Sequence, residues 1–134
     1  MVSTILVVED DPMERSMLRL IFESAGHDVL EAPHGQAALD AMRPDPLPDV
    51  VTTDLRMPVL GGAEMIERLR SDLRTSAVPI VVVTGATAPA QWLHASGLIQ
   101  AVVRKPFDIH ALVACIERFT DGAVDELGEL PPPA

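Results

Sequence analysis

The sequence predicts a single α/β domain in which helices cover both faces of a parallel five-stranded sheet. Three observations predict it. Five short apolar, β-branched runs alternate with segments of helical spacing. Three of those runs are almost continuously apolar, as strands covered on both faces must be. The residues best suited to chemistry also gather at the carboxyl ends of the runs, the edge where such sheets bind ligands.

The first strand is expected over Thr4–Val8 (TILVV) and runs straight into Glu9, Asp10 and Asp11. Asp11-Pro12-Met13-Glu14 is a helix start, with an acid at the cap, proline in the first turn and glutamate three residues on. Met13, Met17, Leu20 and Ile21 form the apolar stripe of that helix. Further strands are expected over His27–Glu31, Asp49–Thr53, Pro79–Thr84 and Gln100–Arg104. Met65, Ile66, Leu69 and Leu73 make a second helical stripe, and Ile109, Leu112, Val113, Ile116 and Phe119 a third. The segment Ala86–Gly97, with Pro89 early in it, is a weak helix candidate, and its Trp92 is expected to pack on the sheet. Right-handed crossovers leave a handful of topologies. Residues 1–120 make the domain; residues 121–134, with four acids and a triple proline, read as a solvated tail or a shortened linker.

Composition excludes several classes. The net charge is −10 and the ten basic residues are scattered, so no basic stripe for nucleic acid exists. There is no apolar run of about 18 residues for a membrane span, and no secretory n-region and h-region. The lone Cys115 suits a reducing cytoplasm and reads as a small core residue. His27, His34, His94 and His110 have no metal-ligand spacing and are expected at the surface.

The chemistry concentrates at four strand ends. With Asp11 serving as a cap, Glu9 and Asp10 have no structural duty, and Asp54 arrives at the same edge. Adjacent carboxylates repel unless solvated or neutralised by a cation. Three oxygen donors suit Mg²⁺. Asp54, in TTDLRMPVLGG, is either a nucleophile that forms an aspartyl phosphate beside such a cation or a capping residue of a tight loop. Thr84, before the small Gly85, is either a phosphoryl donor or an ordinary strand residue. Lys105 is the one lysine among ten basic residues. A compact ammonium on a flexible stem suits a moving phosphoryl group, though a surface cation has the same composition.

Residues 4–120 resemble the receiver domain of two-component response regulators. ILVVEDDP, DLRMPVLGG (D-x-x-M-P-x-x-x-G), VVVTG and KPF, in this order and at these strand ends, carry the resemblance. It implies a (βα)5 flavodoxin-like, CheY-like sandwich with strand order 2-1-3-4-5. It implies that Asp54 is the phosphoacceptor and that Thr84 and Lys105 contact the phosphoryl group. Asp10 would bind Mg²⁺ directly, Glu9 mostly through water, with Asp54 and the backbone carbonyl of Arg56 completing the protein ligands. The implied function is a phosphorylation-controlled switch, not an enzyme beyond its own phosphorylation and dephosphorylation. It would be cytoplasmic and a monomer or weak dimer. Its partners would be a histidine kinase or histidine phosphotransfer protein and a downstream protein.

Two departures stand out. Val102 occupies the position where receivers usually carry an aromatic switch residue, and the chain has no tyrosine. Arg56 and Ala86 hold the positions that tune phosphoryl lifetime, and a long arginine could shield the group or pair with Glu9. An unphosphorylated interaction module and an aspartate-nucleophile phosphatase are the other readings. The phosphatase lacks its usual second acid, since Arg56 stands there.

Overall fold

The computed structural model describes residues 3–120. Five strands and five helices alternate: β1 (Thr4–Val8), α1 (Pro12–Ser24), β2 (Asp28–Ala32), α2 (Gly35–Ala41), β3 (Val50–Thr53), α3 (Gly62–Ser71), β4 (Ile80–Thr84), α4 (Thr87–Ala95), β5 (Ala101–Arg104) and α5 (Ile109–Glu117). All pairings are parallel and the order is β2-β1-β3-β4-β5, the order expected from the resemblance. The expectation for residues 121–134 falls outside the described residues.

Alternation along the strands builds two cores. Leu6 and Val8 of β1, Val51 of β3 and Ile80 and Val82 of β4 face α2, α3 and α4. Ile5, Val7, Val50, Val81 and Val83 face α1 and α5. Every residue of β3 and β4 is buried, which explains why these runs contain no charged residue. Each fully buried aliphatic side chain contributes about 1.5–3 kcal/mol relative to exposure.

Several expectations need correction. The buried face of α1 is Leu18, Ile21 and Phe22, whereas Met13, Met17 and Leu20 are exposed. The 13/17/20 row and the 14/18/21 row have the same helical spacing, and the neighbouring α5 selects the second. Leu73 lies beyond the end of α3 and is exposed. Residues Thr87–Ala95 form a regular helix, on which Trp92 points to solvent at 64% exposure instead of packing on the sheet. His27 is buried, its Nε2 2.8 Å from Glu117 Oε2, and is no surface residue. His34 caps α2 by accepting from the Ala37 N–H. Cys115 packs, half-buried, on the α1/α5 core, and burial pushes its thiol pKa up.

Candidate functional site

The site forms where the chain reverses its direction of winding: from β1 it passes outward to β2, then returns to β3 on the other side. Val8 and Thr53 are register partners, so the next residues, Glu9 and Asp54, emerge side by side. The Asp54 N–H donates to the Val8 carbonyl at 3.2 Å, and the Glu9 N–H donates to Ala32 at 3.0 Å. The ladder thus holds both backbones one residue past the strands. Lys105 follows β5, its N–H bonded to the Thr84 carbonyl at 3.0 Å.

Asp11 caps α1, accepting from the Met13 N–H at 2.9 Å, with Pro12 in the first turn. Its structural assignment holds. Glu14 does something the sequence did not suggest. Its carboxylate reaches across the sheet edge to Lys105 instead of turning back to the cap.

Lys105 is the hub. Its Nζ donates to Glu9 Oε1 at 2.7 Å, Glu14 Oε2 at 2.7 Å and Asp54 Oδ2 at 2.9 Å. Three donors meet three carboxylates. The second oxygens of two acids are held by backbone: Glu9 Oε2 accepts from the Asp10 N–H at 3.1 Å, and Asp54 Oδ1 from the Leu55 N–H at 2.6 Å. Burial lowers the ammonium pKa, but the bonds to Glu14, Glu9 and Asp54 outweigh it and hold the pKa above its ordinary value. Glu9, 1% exposed, is pushed up to about 8, by burial first and then by the neighbouring Glu14 carboxyl group. Glu14 moves the other way, lowered by that same contact and by Lys105.

The loop after Asp54 closes tightly. Gly62 N–H donates to the Leu55 carbonyl at 3.0 Å and Gly35 N–H to that of Leu60 at 2.9 Å. A Cβ on Gly62 would lie 2.3 Å from the Asp54 carbonyl oxygen. The spacing of DLRMPVLGG therefore has a steric cause at its last glycine.

Of the residues singled out in the sequence, Glu9, Asp54 and Lys105 come together in direct contact. Thr84 is buried at the same edge, and its Oγ1 accepts from the Ala86 N–H at 3.1 Å. Asp10 is exposed and lies outside the trio of acids. Arg56 is also exposed, and Glu9 pairs with Lys105, not with Arg56. Val102 is half-buried against the α2/α3/α4 core. Glu14 is the residue that sequence reasoning missed. Its spacing to Leu18 and Ile21 would have placed it on the buried row, one turn nearer the site.

One oxygen each from Glu9, Glu14 and Asp54 lies within 4.8 Å of the others, a hard-donor set that fits a divalent cation such as Mg²⁺. Comparison with known proteins gives this arrangement its context. The family model for the response regulator receiver domain matches residues 5–117. The chain belongs to that family. As a receiver of two-component signalling it is 40% identical over 80 residues to PilH of Pseudomonas aeruginosa, covering 60% of this chain and 65% of PilH. It is 24% identical over 124 residues to the response regulator DivK of Brucella ovis, covering 92% of this chain and all (100%) of DivK. A protein-glutamate methylesterase of Nitrosospira multiformis is 39% identical over 89 residues, 65% of this chain but only 24% of that protein. Among solved structures, CheY4 of Vibrio cholerae superposes with TM-score 0.77 and 26% identity, covering 89% of this chain and 99% of CheY4. The receiver domain of a Pseudomonas aeruginosa sensor histidine kinase does so with TM-score 0.76 and 26% identity, over 89% of this chain and 98% of that one. That receiver has a magnesium ion coordinated in its active-site cleft. No described helix is long and apolar enough to cross a membrane.

Proposed function

We propose that this receiver accepts a phosphoryl group on Asp54 from a phosphohistidine of a histidine kinase or phosphotransfer protein and signals through protein–protein contact. The observation that carries the reading is the convergence of Glu9, Asp54 and Lys105 at the switch point of the sheet. A carboxylate oxygen of Asp54 attacks phosphorus, the P–N bond to the donor breaks, and its electron pair stays on the imidazole. A Mg²⁺ ion held by Glu9, Asp10, Asp54 and the Arg56 carbonyl would supply charge neutralisation for the phosphoryl oxygens. The Lys105 ammonium then pairs with the new dianion, and the Thr84 hydroxyl exchanges its local role for donation to a phosphoryl oxygen. Both residues lead directly into the β4 and β5 connections, so their movement biases the α4–β5–α5 surface.

The donor has an apolar surface beside the site on which to dock. Met13 is 83% exposed and Leu20 66%. Through Met17 they join a groove of about 480 Å³ lined also by Leu18, Pro106, Phe107 and Ile109, with Lys105 in its wall. An apolar helix row left open next to a charged centre suits a helical partner that brings its phosphohistidine to Asp54.

Intact-protein mass spectrometry with a small-molecule phosphodonor, with Mg²⁺ or with chelator, tests the chemistry. One Mg²⁺-dependent phosphoryl adduct, labile to hydroxylamine and absent from Asp54→Asn, is expected. Full labelling of Asp54→Asn would sink the assignment, and no adduct on the folded wild type would favour the interaction module.

A further inference from the structure

Lys105 stands in the way of the cation. The oxygens of Glu9 and Asp54 that the backbone leaves free are Glu9 Oε1 and Asp54 Oδ2, and both accept from Lys105 Nζ. Their companions, Glu9 Oε2 and Asp54 Oδ1, already accept from the Asp10 and Leu55 N–H groups. A dication drawn to these two acids therefore competes with the ammonium for the same atoms.

Lys105 has a third partner, Glu14, which is not among the cation ligands proposed above (Glu9, Asp10, Asp54 and the Arg56 carbonyl). Glu14 approaches from α1, not from a strand end, and its side chain is 39% exposed against 2% for Glu9 and 16% for Asp54. It is the outermost of the three acids and the one with a second oxygen free of any hydrogen bond among the described residues. The Lys105 side chain is only 20% exposed, and an ammonium so enclosed is costly to leave unpaired, most of all beside a dication.

Resting on the reading of this site as a Mg²⁺-dependent receiver centre, we infer that Glu14 is a positioning residue: it retains Lys105 when a cation takes Glu9 and Asp54, and keeps the ammonium in the site for the incoming phosphoryl group. Before cation entry Glu14 is one of three partners, and its loss leaves Lys105 two others. After entry it is the partner that remains, and its loss orphans the ammonium. Removal of Glu14 thus weakens cation binding partly through Lys105, over and above the loss of its own charge.

The chain has one lysine, so protein labelled with ¹³C-lysine gives a single Cε–Hε signal that reports on Lys105 alone. Mg²⁺ titrations would be run on wild type, Glu14→Gln, Lys105→Gln and the double variant. The Asp54 and Leu55 amide signals would supply Kd and confirm the fold. With Mg²⁺ saturating, the wild-type lysine signal is expected to stay displaced from the free-lysine position, and that of Glu14→Gln to collapse onto it. The Kd penalty of Glu14→Gln is expected to be about fivefold larger with Lys105 present than in the Lys105→Gln background, the upper range for a partly exposed pair. Equal penalties in both backgrounds would show Glu14 acting on the cation by charge alone and overturn the inference. So would a lysine signal in Glu14→Gln that matches wild type at saturation. A wild type that binds no Mg²⁺ would overturn the receiver-centre reading itself, an outcome distinct from either of these.

Discussion

Replacing Gly62 by alanine, with Gly61→Ala as its neighbour control, probes the packing that seats Asp54. An added Cβ at Gly62 would lie 2.3 Å from the Asp54 carbonyl oxygen and 2.8 Å from the Leu55 Cα. Ordinary contact begins near 3.4 Å, so the shortfall at the oxygen is about 1 Å. Both partners are backbone, and neither can rotate away. Either the first turn of α3 or the Asp54–Leu55 segment must shift. Overpacking of this kind costs typically about 1–3 kcal/mol, and unyielding partners put Gly62→Ala at the upper end. The smaller entropy of the unfolded alanine chain offsets about 0.4–1 kcal/mol. A net loss of about 2 kcal/mol is expected, or a Tm lower by about 8 °C for a domain of this size. At Gly61 the added Cβ meets only the Leu55 carbonyl oxygen, at 3.5 Å, and the backbone has φ −72°. Gly61→Ala is therefore expected to stay within about 1 kcal/mol of wild type, the cost of a poorer cap. Urea unfolding of the pair measures the contrast. Because the shift falls on the Asp54 backbone, phosphorylation by a small-molecule donor should also slow in Gly62→Ala, by on the order of 10- to 100-fold. Equal stability of the two variants would refute the close approach and with it the steric reading of the motif's last glycine.

Val59, exposed in the loop after Asp54, has φ 67°, a left-handed conformation that a β-branched residue resists. Val59→Asn should raise stability by about 1 kcal/mol, and an unchanged urea midpoint would contradict the strain. Arg70 donates to the carbonyls of Leu98, Ser76 and Val78 and to Gln100 Oε1, tying α3 to both connections around β4, and burial lowers its pKa. Arg70→Met should cost about 3 kcal/mol by leaving those acceptors without a donor; a loss below about 1 kcal/mol by chemical denaturation would count against the bracing role. The pH dependence follows from Glu9, whose pKa is about 8 folded against an ordinary 4.5. The folded state then binds the extra proton, so this stabilisation is complete below about pH 4.5 and is lost as pH rises to about 8. With chelator present, the denaturation midpoint should fall between pH 6 and pH 8 and Glu9→Gln should flatten the change; a wild-type midpoint that rose over that window would reverse the sign.

The fold was legible in the sequence because strands buried on both faces are short, mostly apolar, β-branched runs without a charged residue. TILVV, DVVTT and PIVVVT therefore had one structural reading, and their ends located Glu9, Asp54 and Thr84 on one edge. Lys105 was legible for a chemical reason, a single ammonium in a chain that otherwise uses arginine. What α1 buries was not legible. Met13-Met17-Leu20 and Glu14-Leu18-Ile21 are adjacent rows of one helix with the same spacing, and the more apolar row is the one left in solvent. Helical periodicity states that a face exists, not which neighbour it will meet. That choice rests on the angle at which α1 lies against the sheet and α5, a long-range property with no local signal. The same angle carries Glu14 over the sheet edge to Lys105. His27 and Trp92 follow the same rule from opposite sides. A histidine just before β2 is buried because Glu117, 90 residues away, closes over it, and a tryptophan on a short helix is exposed because Ala90 and Leu93 take the inward positions. Strand composition and strand-end chemistry were set by the sequence locally; the helix faces, and with them the third acid of the site, were set only when distant elements packed.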